Sequence, residues 1–280
     1  MYCAKKDSDC MDIVGIVLLG LIQAISEWVP LSSKTMDAIA YLQFFGGEPG
    51  KLVSVLLFLH LGTLLAAAIY LRKEIADVAR RFLSSPTNIA VQSRSKAGFL
   101  FAALAMTGAV GLPLLAIEYF LLPNLDGSMA LTIVGAGLVA TGFLLSTQHK
   151  HKWRAADAST WQDGLLVGAM QGISVLPGVS RAGTTTTALI WRGFDAESSF
   201  LLSFLLSIPT VFCAEVVLWG FQGGISAIPL EEGFALAASS FFFGYLTIGA
   251  LLRIAQRINV ASLAFVFGII MLLAGLMGAG

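Results

Sequence analysis

Along most of this chain, apolar residues run for about twenty positions at a time before polar ones interrupt, the length needed to cross a hydrocarbon core as a helix. Six such runs are predicted spans: Leu52–Leu71, Gly98–Leu122, Ser128–Thr147, Ser198–Gln222, Phe234–Leu252 and Val260–Ala279. Two further apolar segments, Ile13–Phe45 and Trp161–Trp191, are broken by Pro, Gly and polar residues. Each of these reads as a helix that enters a membrane, breaks and returns. Irregular backbone at membrane depth is tolerated only where protein buries it or it lines a wet cavity. The predicted fold is therefore an all-α integral membrane protein with six transmembrane helices and two re-entrant helical hairpins.

Composition agrees with this pattern. Of the 280 residues 57% are hydrophobic and 12% charged, with mean hydropathy +0.83; soluble domains carry about twice that charge fraction. Net charge is zero, so nothing points to nucleic acid as a partner. The partner that composition does imply is the bilayer. Cys3, Cys10 and Cys213 lack metal-ligand spacing, and Cys3 and Cys10 are either a pair or free thiols. The first ten residues carry no basic region followed by an apolar core, so no cleaved signal peptide is expected. Lys and Arg concentrate in 72–97, 148–158 and the turn after Leu252, which are expected to face the cytoplasm. The turns 123–127 and 223–233 carry only acidic charges and are expected outside.

The chain also repeats itself. Pro30, Ser33 and Lys34 recur as Pro177, Ser180 and Arg181 at a constant offset of about 147, as does Thr63 at Thr210. Gln23 and Ser26 match Gln171 and Ser174 after a one-residue slip. Residues 1–147 and 148–280 are expected to form two repeats of one structural unit, each a broken hairpin plus three spans. Under the charge rule the hairpins enter from opposite faces, so the topology is inverted. In such folds the site forms at mid-membrane where broken helices meet, with N-terminal dipole ends facing an anion.

Isolated Ser, Thr and Gly within spans commonly serve only close helix packing. That reading does not account for Glu27, Lys34 and Arg181, since intramembrane charges mark function. The run "GVSRAGTTTT" offers backbone amides freed by Gly178 and Gly183, the hydroxyls of Ser180, Thr184 and Thr185, and the Arg181 guanidinium, all of them donors. Arg181 presents a planar fork to two phosphate oxygens, and Lys34 adds a point charge from the other copy. Two cationic arms and two hairpin ends fit a diphosphate better than a carboxylate or chloride. Glu27 would repel that anion unless it holds a metal, positions a cation or handles protons. Mg²⁺ or Ca²⁺ bridging Glu27 and phosphate oxygens is the natural reading, with Gln23 one turn earlier on the same face.

The stretches "QAISEWVPLSS" (23–33) and "PGVSRAGTT" (177–185) resemble the (E/Q)xxxE…P-x-SS and PG-x-SR-x-G-x-T elements of the undecaprenyl-diphosphate phosphatases of the bacitracin-resistance type. The resemblance extends through "HLGTLL" and "SFLLSIPT" over nearly the whole chain. It implies removal of the terminal phosphate from a C55 polyprenyl diphosphate, recycling the lipid carrier of cell-envelope glycans at the plasma membrane. Carried over by position, Ser33 falls on the nucleophile, Arg181 on the phosphate-binding arginine, and Glu27 and Gln23 on the acidic and E/Q positions of the first element. Ser180, Gly183 and Thr185 fall on the hydroxyl and glycine positions of the second element, and Ser32, in the first, is expected to bind substrate beside Ser33. The chain departs from the family at Met36, where many members have a histidine, and at Ala182, where they have serine. His60 in "FLHLGT" is then the remaining mid-membrane imidazole, either a proton shuttle or a group that orients its helix. His149 and His151 read as solvated positions, and Asp37 as a cap at the hairpin turn.

Two chemical routes stay open: attack by Ser33 on the terminal phosphorus, or activation of water by Glu27 with Ser33 as a phosphate ligand. A rival class is a polyprenyl-phosphate flippase, since inverted repeats with broken helices also build carriers. An ion channel is disfavoured by the convergence of Ser33, Lys34, Ser180 and Arg181 on one anion. A homodimer is entertained as a further partner expectation.

Overall fold

The structure, a computed structural model, describes residues 11–121, 126–148, 153–221, 227–255 and 260–278. Cys3, Cys10, His149 and His151 lie outside the described residues. Among the described residues the chain is helical, and the one extended pairing is an isolated bridge between Arg154 and Phe194.

The first broken segment forms α1 (Ile13–Trp28) and α2 (Ser33–Ile39), followed by a π turn at Ala40–Phe44. α1 starts where the Asp12 carboxylate accepts from the Gly15 amide, and it stops because Val29, preceding Pro30, is extended (φ −92°, ψ 140°). Next come α3 (Leu52–Tyr70), α4 (Arg72–Ser84), α5 (Ile89–Gln92), α6 (Lys96–Leu121) and α7 (Gly127–Ser146). The second broken segment forms α8 (Trp161–Ile173) and α9 (Arg181–Trp191). α10 (Ala196–Phe221), α11 (Leu230–Ala255) and α12 (Val260–Leu276) complete the chain.

Five helices are long and apolar enough to span a bilayer, in the windows Pro49–Tyr70, Lys96–Glu118, Gly127–Ser146, Ala196–Val217 and Leu230–Ala250. Within the sixth expected span, Val260–Ala279, the structure has an apolar helix at Val260–Leu276 of 17 residues, at the lower limit of spanning length. The basic stretch 72–97 is more than a loop. Ile75, Val78, Ala79 and Phe82 recur at helical spacing, so it folds as the amphipathic α4, whose Phe82 ring packs 5.4 Å from Phe101. Lys96 ties α6 to this region through Glu74 (2.9 Å) and Asp157 (3.0 Å). The Lys96 ammonium, through that hydrogen bond and its charge, holds the Asp157 carboxyl below the usual carboxylate range.

The packing joins helices of the two halves of the chain: α1 lies on α11, α8 on α6, and α7 on α12. Lipid tails are as apolar as these side chains, so close packing and hydrogen bonds hold the helices together. Glycines make that approach possible. A Cβ at Gly62 would sit 2.0 Å from Ser240 Oγ and 2.2 Å from Ala237 O on α11. Gly62→Val is therefore expected to push α3 off α11 and lower the melting temperature in detergent by several degrees; an unchanged melting curve would contradict the packing.

Each hairpin has its own apolar core, one around Leu19, Val55, Phe58 and Leu236, the other around Phe99, Val167, Leu189 and Leu206. A third core joins them: Trp28 from α1, Ala66 and Leu71 from α3, Phe200 and Phe204 from α10, and Ile248 from α11. The tips of the two hairpins meet beside it.

Candidate active site

Where α1 ends, Glu27 is almost wholly buried and its carboxylate gathers partners from three elements. Ser33 Oγ, at the first position of α2, donates to Glu27 Oε2 at 2.8 Å. Arg181, at the first position of α9, donates through Nη2 to Glu27 Oε1. His60 Nε2, from α3, stands 3.8 Å from Glu27 Oε2. His60 Nδ1 lies 2.8 Å from the Leu56 carbonyl, which can only accept, so this nitrogen carries the proton and Nε2 presents its lone pair when the ring is neutral. The Arg181 guanidinium also lies 5.8 Å from the Phe204 ring centroid, and Nη1, buried, makes no hydrogen bond among the described residues. Arg181 lines a cavity of about 130 Å³.

Glu27, Ser32, Ser33, Lys34 and His60 line this cavity from one side. Gln171, Ser174, Ser180, Arg181 and Thr210 line it from the other, with Thr107 of α6 between them. Lys34 is exposed and makes no ion pair among the described residues, and it lines the cavity wall. Ser180 stitches the hairpins together: its hydroxyl donates to Leu31 O (3.3 Å) and caps α9 by accepting from the Gly183 amide (3.2 Å). Its own amide donates to Thr141 Oγ1 (3.0 Å).

The remaining residues singled out in the sequence stand behind this surface. Gly178 has φ +80°, and a Cβ there would lie 2.1 Å from Val134 O, so it seats the second turn against α7. Thr184 and Thr185 hydroxyls donate back to the Arg181 carbonyl (3.0 and 2.8 Å), and Thr185 also meets Ser203 (2.6 Å). Asp37 is not a cap at the turn: it lies inside α2, fully buried, with neither carboxylate oxygen hydrogen-bonded.

Two glutamines, not one, belong to the site. Gln23 Nε2 donates to Thr63 Oγ1 (3.1 Å) and Glu27 Oε2 (3.4 Å); Gln171 Nε2 donates to Thr107 Oγ1 (3.0 Å) and Thr210 Oγ1 (2.9 Å). Those threonine hydroxyls themselves donate to main-chain carbonyls, Thr63 to His60 O, Thr107 to Ala103 O and Thr210 to Leu206 O. They can therefore only accept from the amides, which fixes both amide orientations. Each glutamine is left with a buried Oε1 that accepts nothing. The repeat pairing Gln23 with Gln171 and Thr63 with Thr210 signals the second glutamine, whereas Thr107 has no sequence signal.

For a divalent cation, the described residues contain no cluster of three or more His, Cys, Asp and Glu able to hold a metal. Among them are one carboxylate, Glu27, and two amide oxygens without a donor, Gln23 Oε1, a turn from Glu27, and Gln171 Oε1. Hard oxygens of this kind suit Mg²⁺ or Ca²⁺ where substrate phosphate and water supply the other ligands.

Fold and site together define a multi-pass, all-helical membrane protein whose two helix–turn–helix tips enclose a polar centre with free cationic donors. The chain belongs to the family described as bacitracin resistance protein BacA, whose pattern matches residues 16–277. It is similar to an undecaprenyl-diphosphatase of Haloarcula marismortui, 36% identical over 268 residues that cover 95% of this chain and 98% of that one. It also resembles the undecaprenyl-diphosphatases of Methanococcoides burtonii (34% identical; 92% and 96% covered) and Methanothrix thermoacetophila (32%; 94% and 96%).

Proposed function

We propose that this protein hydrolyses a polyprenyl diphosphate of the undecaprenyl type to the monophosphate and inorganic phosphate, recycling the lipid carrier of cell-envelope glycans in the plasma membrane. The observation that carries this reading is the Ser33 hydroxyl bonded to the Glu27 carboxylate with Arg181 closing on it from the other hairpin. The names of the relatives point to the same reaction.

Ser33 Oγ attacks the terminal phosphorus while its proton passes to Glu27 Oε2. The bond from that phosphorus to the bridging oxygen breaks, and its electron pair leaves with the polyprenyl monophosphate. Arg181 and Lys34 neutralise the charge that develops on the phosphate oxygens, donors placed in advance being worth most in a water-poor site. The proton returns from Glu27 to Ser33 Oγ as water breaks the phosphoseryl bond, and both water protons leave on the released phosphate. His60 Nε2, facing the same carboxylate, is placed to share the proton held there. A divalent cation, Mg²⁺ or Ca²⁺, would be held by Glu27 and Gln23 Oε1; bound there it would offset phosphate charge and polarise the P–O bond.

In the finer architecture we propose, the chain has six spans and two re-entrant hairpins, with 1–147 and 148–280 as inverted repeats. The exchange-symmetric packing of α1 on α11 and α8 on α6, and the two glutamine–threonine pairs, support this. The mechanism is complete within one chain, so it requires no homodimer. The flippase reading is not favoured, because it leaves the Ser33–Glu27 hydrogen bond without a role.

Phosphate release by the purified protein from C15 or C55 diphosphate, with and without Mg²⁺ or Ca²⁺, tests the proposal. Metal-dependent release is expected, reduced at least about 100-fold in Arg181→Ala. Binding of the diphosphate with no release by the unaltered protein would overturn it in favour of a carrier.

A further inference from the structure

A second void lies against the site and has a different chemistry. Leu57, Phe58, Leu61 and Leu64 of α3 and Phe212, Glu215 and Val216 of α10 enclose about 200 Å³. Its walls are apolar except for one carboxyl. The two helices that build it also build the diphosphate cavity. On α3, His60 lines the cavity while Leu57, Leu61 and Leu64, at −3, +1 and +4, line the second void. On α10, Val211 and Ala214 line the cavity while the next residues, Phe212 and Glu215, line the second void. Phe212 (59% exposed) and Val216 (51%) form its outer edge, on a helix of spanning length, so the void opens sideways to lipid. Glu215 follows Ala214 directly, so the one polar wall of the void is contributed next to a residue of the diphosphate cavity.

We infer that this groove between α3 and α10 binds the first isoprene units of the substrate while its diphosphate occupies the Glu27–Arg181 cavity. The inference rests on the phosphatase reading for the identity of the headgroup, but its evidence is separate. A prenyl diphosphate leaving the cavity needs an apolar exit that reaches the bilayer without crossing polar backbone. The α3–α10 groove adjoins the cavity on shared helices, is lined by hydrocarbon, and is open on its lipid side. Apolar walls select for chain presence and bulk more than for detailed structure, so the groove serves allylic or saturated first units alike.

Filling the groove separates tail binding from chemistry. Leu64→Trp is expected to raise KM for C15 diphosphate about tenfold, with KM and kcat for methyl diphosphate, which carries no isoprene unit to enter the groove, unchanged. An equal rise for both substrates, or none for the C15 compound, would overturn the inference. If Leu64→Trp does not fold, as judged by gel filtration and melting, Phe212→Ala at the lipid edge is read by the same ratio. Independently of turnover, a photoreactive farnesyl diphosphate should label peptides containing 57–64 or 212–216 and be displaced by unlabelled C15 diphosphate. Labelling confined to other helices would overturn the groove. Absence of phosphate release with displaceable labelling at these peptides would sink the phosphatase reading and leave the groove standing.

Discussion

Ser33→Ala should release phosphate from a polyprenyl diphosphate at least about 10³-fold more slowly than the unaltered protein, with little change in substrate affinity. Removing the nucleophile from a coupled set costs the larger part of its acceleration and leaves what binding and charge stabilisation supply. Alanine deletes the oxygen that would attack, yet Ser33 donates its one side-chain hydrogen bond to Glu27 and lies in a short helix, so the fold should persist. Rapid quenching with terminally labelled diphosphate should trap a phosphoenzyme in the unaltered protein and none in the variant. Retained turnover in Ser33→Ala would move the chemistry to water activated by Glu27 and make Ser33 a phosphate ligand. The variant thus decides between the two routes that the residues alone leave open.

How far the sequence could be read depended on whether the information was local. The two broken segments were legible because their interruptions are local: Pro30 forces Val29 extended, and Gly178 takes a φ that other residues rarely adopt. Accordingly Trp161 and Trp191, the expected ends of the second segment, are the outer ends of α8 and α9. The approach of Ser33 and Arg181 was legible because the offset of about 147 makes two half-sites, one at each hairpin tip; the pairing of Glu27 with Arg181 was not, since the offset does not relate those two positions. Nor were the destinations of the threonines. Consecutive residues on a helix point about 100° apart, so a run such as 184–187 sweeps nearly all round α9 and cannot all face one cavity. Thr184 and Thr185 turn back onto the Arg181 carbonyl. α4 was hidden for another reason: Arg72, Lys73, Arg80 and Arg81 draw attention to topology, while the apolar spacing between them carries the helix. Asp37, read as a cap from its place near a turn, needed the exact bounds of α2 to be placed.

Asp163 carries the second large expected effect, and no local pattern announces its arginine partners, although the Thr160–Asp163 spacing is that of a capping box. It has no exposed surface, yet two arginines and a helix start converge on it. Arg154 grips both carboxylate oxygens (2.9 and 2.5 Å), and Arg192 Nε donates to Oδ1 (2.6 Å). The Thr160 amide (2.9 Å) and hydroxyl (2.8 Å) donate to Oδ2, completing a capping box at the start of α8. The partners lie 9 and 29 positions away in sequence, so spacing gives no hint of them. In space they clamp the base of the second hairpin, because Arg192 follows α9 directly and Asp163 is in the first turn of α8. Asp163→Asn keeps the shape but removes the charge, turns one acceptor into a donor facing arginine, and leaves two guanidiniums without a counter-ion. Breaking a buried pair by removing one partner costs about 3–5 kcal/mol; both arginines are partly exposed, which favours the lower figure. The melting temperature in detergent should then fall by roughly 5–10 °C. Arg181 begins the helix whose far end this clamp holds, so substrate affinity should fall with stability, and both should recover partly at low temperature. A variant that melts with the unaltered protein would show that the clamp contributes nothing to holding the hairpin, and that the tip contacts of Ser180 and Gly178 suffice.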